Sequence, residues 1–207
     1  MFVVIEGPDG AGKTVTQKKV ALFLREMGYR VTEVREPGGD AFGEDVRDLI
    51  MEYDGILPLT QLLLFSASRN ELINTLNMGA RPREIFLFDR YVLSSYVYQY
   101  DAFYQNRTLT EMLFEHTFPT PDLSFILNAS IHTLLTRTAE KRETNHFDVV
   151  NPDDITVLET RRSEYLSAGR REENSQVIDT ERPLEEVTAD IVNAVVQRYV
   201  QLYGKRK

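Results

Sequence analysis

Gly7-Pro8-Asp9-Gly10-Ala11-Gly12-Lys13-Thr14 is the stretch that decides how this chain folds. It fits G-x-x-x-x-G-K-[ST], between the apolar run 2–6 and a helix beginning at Lys13, the context that gives the pattern physical meaning. Its glycines let backbone N–H groups turn inward around phosphate oxygens. The helix start adds the positive end of its dipole. Lys13 supplies a point charge for β- and γ-phosphates, and the Thr14 hydroxyl is a ligand for Mg²⁺. Every residue from Gly7 to Thr14 is therefore a candidate for holding a nucleoside triphosphate.

Outward from this loop, short apolar runs alternate with helical stretches. Buried-strand runs fall at 2–6, 29–35, 85–89, 123–127 and 176–179. Helical patterns fall at 13–27, 43–53, 59–78, 92–104, 110–116, 131–141, 153–168 and 184–203. In 13–27 the apolar positions are Val20, Leu24 and Met27. Five Val/Ile/Leu/Phe-rich strands separated by helices predict an α/β fold: a five-stranded parallel sheet, helices on both faces, three layers α/β/α. Ligands of such sheets gather at the carboxyl ends of the strands. The third strand ends there in Asp89-Arg90. Asp89 is placed as a second magnesium-organising carboxylate and Arg90 as a guanidinium over the strand ends.

Composition narrows the class. The chain has 207 residues, and no linker or repeat divides it, so it reads as one domain over 1–207 with a small helical lid near 137–153. It has no cysteine, which excludes disulfides and thiolate metal sites and fits a cytoplasmic location. The formal charge of −8 argues against a general nucleic-acid binder. The opening residues lack the basic region and apolar length of a signal peptide, and no run is long enough to span a membrane. His116 and His132 read as structural, because scattered histidines do not make a metal site. No N-K-x-D guanine-reading motif occurs, and there is no room for a motor domain. A small nucleotide or metabolite kinase remains.

The segments EGPDGAGKT (6–14), REPGG (35–39), LLLFSASR (62–69), DRYVLSSYVYQ (89–99) and PDLSFIL (121–127) resemble thymidylate kinase in order and spacing. The resemblance is close over 1–142 and looser beyond. It implies an α/β enzyme that uses ATP and Mg²⁺, passes the γ-phosphoryl group to thymidylate (dTMP) in deoxynucleotide biosynthesis, and forms a homodimer. The apolar stretches 57–73 and 91–100 are candidate two-fold faces.

By this resemblance Asp9 faces the transferring phosphoryl group and the nucleoside 3′-hydroxyl. Glu36 and Pro37 wall the monophosphate pocket. Arg47 and Arg90 hold the acceptor phosphate. Phe65 and Arg69, four apart on one helix face, stack on the base and donate to its O4. Phe65 alone would read as core. Ser95 and Gln99, also four apart, bond the thymine edge, and Tyr98 crowds the sugar 2′ position. Tyr91, Tyr96 and Tyr100 read as packing or surface residues. Some thymidylate kinases carry a catalytic arginine in the phosphate loop, where this chain has Gly10. The resemblance then implies a lid-borne cation, Arg142 first and Arg137 second. The lid departs from the family, with Asn145-His146-Phe147-Asp148 where an Asp-Arg pair is common. A second departure is Asn128, where the strand often ends in Asp. This leaves room for two alternatives: a kinase for a modified deoxypyrimidine monophosphate, and a catalytically weak nucleotide-binding protein.

Overall fold

A computed structural model of the protein describes residues 1–141 and 155–204. Its elements are β1 (Phe2–Glu6), α1 (Lys13–Glu26), β2 (Val31–Arg35), α2 (Ala41–Glu52), α3 (Pro58–Leu76), β3 (Ile85–Asp89), α4 (Val92–Tyr98), α5 (Tyr100–Gln105), α6 (Arg107–Glu111), β4 (Leu123–Asn128), α7 (Ile131–Lys141), α8 (Ile155–Gly169), β5 (Ser175–Asp179) and α9 (Leu184–Tyr203). All strand pairs are parallel, in the order β2-β3-β1-β4-β5. β1 is central and register-matched to β3 (Ile5 opposite Asp89) and to β4 (Glu6 opposite Ile126).

The unbroken apolar runs are explained by helices on both faces. Successive side chains of a strand point to opposite faces. Val3, Ile5, Ile85, Leu87, Phe125 and Leu127 therefore pack toward α1, α7 and α9, with Val20, Leu24, Leu134, Ile191 and Val195. Phe2, Val4, Phe86 and Phe88 pack toward α3, with Leu72, Leu76, Tyr91 and Phe118. A third cluster, Val97, Ile126 and Tyr165, joins α4 and α8 to β4. Fully burying each such side chain is worth about 1.5–3 kcal/mol. Gln17 of α1 is a buried polar residue at this seam: its amide donates to Val34 O and Leu87 O, both at 2.7 Å, fixing α1 across β2 and β3.

The differences from the sequence reading have local causes. The second strand begins at Val31 rather than 29, because Tyr29 N donates back to Leu24 O (2.9 Å) and closes α1 around Gly28. Met27 caps that helix and is 51% exposed, so it is no part of the core. The pattern 92–104 is two helices, broken at buried Gln99. The pattern 110–116 splits into the end of α6 and a wide π-turn, Met112–Thr117, where the Thr117 hydroxyl donates to Met112 O at 2.9 Å. The stretch 91–99 is not an open apolar face: Tyr91, Ser95, Val97 and Gln99 are buried and none of its residues is exposed. Among the described residues no helix is long and apolar enough to cross a membrane.

Candidate active site

The phosphate loop connects β1 to α1, and its backbone requires glycine. Gly7, Gly10 and Gly12 have φ of 141°, 80° and 89°. A Cβ at Gly10 would collide with the Leu134 carbonyl oxygen and stand 2.8 Å from Thr138 Oγ1. That contact gives a steric reason for the missing loop arginine: α7 occupies the space a side chain would need. Lys13 is buried, and its ammonium donates to Gly7 O and Pro8 O, both at 2.9 Å. Thr14 Oγ1 donates to Asp89 Oδ2 at 2.6 Å, while buried Asp89 Oδ1 has no hydrogen-bond partner among the described residues. This hydroxyl–carboxylate pair suits a hard divalent cation. Mg²⁺ is commonly held by one or two protein oxygens together with substrate phosphates. Thr14 and Asp89 would hold it, and when bound it would neutralise β/γ charge.

Asp9 stands where loop, β3 and α4 meet. Its carboxylate pairs with Arg90, lies 3.9 Å from Lys13 Nζ, and accepts from Tyr98 OH at 2.5 Å. Burial works to raise the Asp9 pKa, but the Arg90 and Lys13 charges and the hydrogen bonds from Tyr98 and Arg90 outweigh it and hold the carboxyl below its usual range. Burial likewise opposes the Arg90 charge, and Tyr98, Asp9, Tyr165 and Asp89 more than offset it, so the guanidinium stays ionised.

Beside Asp9 opens a cleft of about 430 Å³, lined by Asp9, Glu36, Pro37, Arg47, Phe65, Arg69, Arg90, Ser95, Tyr98 and Gln99 among others. The structure thus brings every acceptor-side residue of the sequence reading to one cavity, from the end of β2, from α2, α3 and α4, and from the phosphate loop. Arg69 is 3% exposed and donates from Nε to Glu36 Oε2 at 2.7 Å and from Nη2 to Ser95 Oγ at 3.0 Å. Its guanidinium lies 5.1 Å from the Tyr91 ring and 5.3 Å from the Phe118 ring. Arg69 Nη1, Glu36 Oε1 and Gln99 Oε1 are buried without a hydrogen-bond partner among the described residues, so the cleft wall there carries one unmet donor and two unmet acceptors. Burial drives the Glu36 carboxyl up to about 7 despite the Arg69 charge.

Other positions fall elsewhere. Arg137 donates to Thr180 O (2.8 Å) and Thr180 Oγ1 (3.4 Å), which ties it to the loop after β5 rather than to the phosphate loop. Arg142 and 145–148 lie outside the described residues. Asn128 accepts from Arg162 Nε at 2.7 Å, a structural contact with α8. His116 and His132 are exposed.

Among the described residues that sequence reasoning left unassigned, Tyr91, Ser94, Arg161 and Glu6 bear most directly on the phosphate end of the site. Tyr91 and Ser94 line the cleft. Arg161 of α8 also lines it and sits 4.3 Å above the Tyr98 ring, whose centroid is 5.1 Å from the Arg90 guanidinium. Nothing in local spacing marks Arg161, because the tertiary fold alone brings it to α4. Glu6 is the fourth. Its one signal is an acidic residue closing an otherwise apolar strand.

The thymidylate kinase family model matches residues 5–191. The chain belongs to the thymidylate kinase family. A thymidylate kinase of Idiomarina loihiensis is 31% identical over 199 residues, covering 94% of this chain and 96% of its own. One of Deinococcus radiodurans is 32% identical over 203 residues, covering 96% and 97%. In fold the chain is similar to the crystal structure of thymidylate kinase from Ehrlichia chaffeensis, with a TM-score of 0.74 over 94% of this chain and 98% of that one, at 24% identity. The enzyme is thus a thymidylate kinase, and its parallel sheet is the family's.

Proposed function

We propose that the enzyme phosphorylates dTMP with ATP by aligning the two phosphates across Asp9, with the phosphate loop on the donor side and the 430 Å³ cleft on the acceptor side. The observation that carries this assignment is the shared cavity: acceptor-side residues from five separate stretches line one cleft that ends at the phosphate loop's own Asp9.

A dTMP phosphate oxygen attacks the γ-phosphorus as the bond to the β–γ bridging oxygen breaks, giving dTDP and ADP. No covalent enzyme intermediate is needed, so catalysis is alignment plus charge neutralisation. Lys13 leaves the loop carbonyls for the β/γ-phosphates. Arg90 and Arg47 hold the acceptor phosphate. Asp9 is ionised at neutral pH and anchors Arg90 beside the transferring group. Phe65 stacks on the base, Arg69 Nη1 donates to its O4, and Ser95 and Gln99 meet its edge. Thr14 and Asp89 would hold Mg²⁺. Arg161, already over Tyr98, joins Arg142 as a candidate for the cation that the phosphate loop lacks. The cysteine-free sequence supports a cytoplasmic location, and the exposed Leu57, just before α3, and Leu63, within it, support a homodimer through that helix.

Lys13→Ala tests the donor side. Turnover should fall at least about a hundredfold, because a preorganised charge on the transferring group is lost. A purified, folded variant with the wild-type rate would refute the assignment.

A further inference from the structure

Glu6 is 1% exposed and does not line the cleft, yet both of its carboxylate oxygens accept hydrogen bonds. Oε1 accepts from Tyr91 N at 2.7 Å and Ser94 N at 3.2 Å, and Oε2 accepts from Ser94 Oγ at 2.6 Å. These donors sit just after Arg90. Arg90 has φ of 72°, left-handed backbone that a large L-residue rarely adopts. Strained backbone persists only where its surroundings over-determine it. Here β1 does so from both sides: Arg90 N donates to Ile5 O at 3.0 Å, and the next amide donates to Glu6. Three residues beyond Glu6 on the same chain, Asp9 receives the Arg90 guanidinium. One strand end thus sets both partners of the ion pair.

The network extends to α8. Ser94 gives its one hydroxyl hydrogen to Glu6, so at 2.9 Å from Tyr165 OH it must accept. Tyr165 is fully buried, one helical turn after Arg161. The element that presents Arg161 to Tyr98 is therefore docked on the same serine.

We propose that Glu6 is a positioning residue for the acceptor phosphate: it holds the left-handed turn that aims Arg90 and, through Ser94, seats α8 against that turn. This rests on the assignment of Arg90 to the dTMP phosphate. The Glu6 side chain touches neither substrate. A carboxylate suits the role because it only accepts, and the three groups hydrogen-bonded to it here donate. Alanine would take this acceptor from the buried Tyr91 amide and the partly buried Ser94 amide and leave the strained turn unsupported. Glutamine would keep a carbonyl oxygen for the Tyr91 and Ser94 amides. Aspartate, one methylene shorter, would keep the charge and lose the reach.

The test is steady-state kinetics on the full chain, with thymidine affinity measured by calorimetry, for Glu6→Ala, Glu6→Gln, Glu6→Asp and Arg90→Lys. Glu6→Ala should raise the dTMP KM about tenfold to a hundredfold, the scale of a misplaced binding group. The ATP KM, and the affinity for thymidine, which has no phosphate for Arg90, should stay within about twofold. Glu6→Gln should restore most of the dTMP KM, and Glu6→Asp should not. A Glu6→Ala enzyme with an unchanged dTMP KM overturns the proposal, as does one in which dTMP, ATP and thymidine weaken alike. If Glu6→Ala does not fold, the order of the other two decides: glutamine worse than aspartate means that charge, not the clamp, matters, and the proposal falls. Arg90→Lys separates the two layers. If it raises the dTMP KM while Glu6→Ala does not, only the Glu6 role is wrong. If it leaves that KM unchanged, the Arg90 assignment fails and the Glu6 role goes with it.

Discussion

Replacing Arg69 by methionine should separate what this residue does for the fold from what it does for the substrate. Arg69 and Glu36 are 3% and 6% exposed and meet at 2.7 Å. At an effective dielectric of about 20, two charges at that distance attract by roughly 6 kcal/mol, much of it offset by desolvation. Removing one partner leaves the other buried and uncompensated, which costs about 3–5 kcal/mol. Glu36 can reduce that cost by taking a proton. Its carboxyl is already pushed up to about 7, and loss of the neighbouring cation raises it further. The destabilisation by Arg69→Met should therefore be larger at pH 8.5 than at pH 6, by up to about 2 kcal/mol, since each pH unit contributes about 1.4 kcal/mol. Adding Glu36→Gln removes the stranded carboxyl, so the double variant should recover at least about 1 kcal/mol relative to the sum of the singles. Urea melts of all four proteins at both pH values give the cycle. The substrate behaves differently. Arg69 Nη1 is a buried donor without a partner among the described residues. A charge-assisted hydrogen bond is worth about 1.5–3 kcal/mol, so the dTMP KM should rise about tenfold to 150-fold in Arg69→Met and stay high in the double variant. Additive stabilities, or a dTMP KM that recovers in the double variant, would refute this division of roles.

Glu36→Gln alone carries a pH prediction. A carboxyl raised in the folded state from 4.5 to about 7 contributes stability that is present below 4.5 and lost as pH rises through 7. The wild type should lose up to about 3 kcal/mol from this group across that window, and denaturant melts of Glu36→Gln should lack that component. Tyr98→Ala should relax the preference for deoxyribose, raising turnover of a 5-methyl ribonucleotide acceptor relative to dTMP by about tenfold, because the crowding ring is gone. An unchanged ratio would remove Tyr98 from sugar selection.

Much of this was legible because the deciding residues lie in short local patterns. The phosphate loop declares itself by spacing. The run 85–89 is the β3 strand residue for residue, and 131–141 and 184–203 match α7 and α9. The resemblance to thymidylate kinase marks Phe65 with Arg69 and Ser95 with Gln99, and the spacing of four puts each pair on one helix face. Helical spacing could not show that Arg69 turns into a buried pair with Glu36, 33 residues away, because that contact depends on where β2 ends relative to α3. The break at Gln99 carries no proline or glycine, so nothing local announces it. Glu6 and Arg161 stayed hidden for a related reason. The partners of Glu6 are 85 and 88 residues away, and Arg161 meets Tyr98 only through the packing of α8 on α4.

The most direct test of the account is a coupled assay of ADP formation with Mg²⁺-ATP and a panel of acceptors: dTMP, dUMP, UMP, dCMP, dGMP and 5-hydroxymethyl-dUMP. The account predicts the highest kcat/KM for dTMP, about tenfold to 200-fold above dUMP, the range one methyl group commands in an apolar pocket. Higher turnover of another acceptor, or no turnover with any of them despite ATP binding, would contradict it.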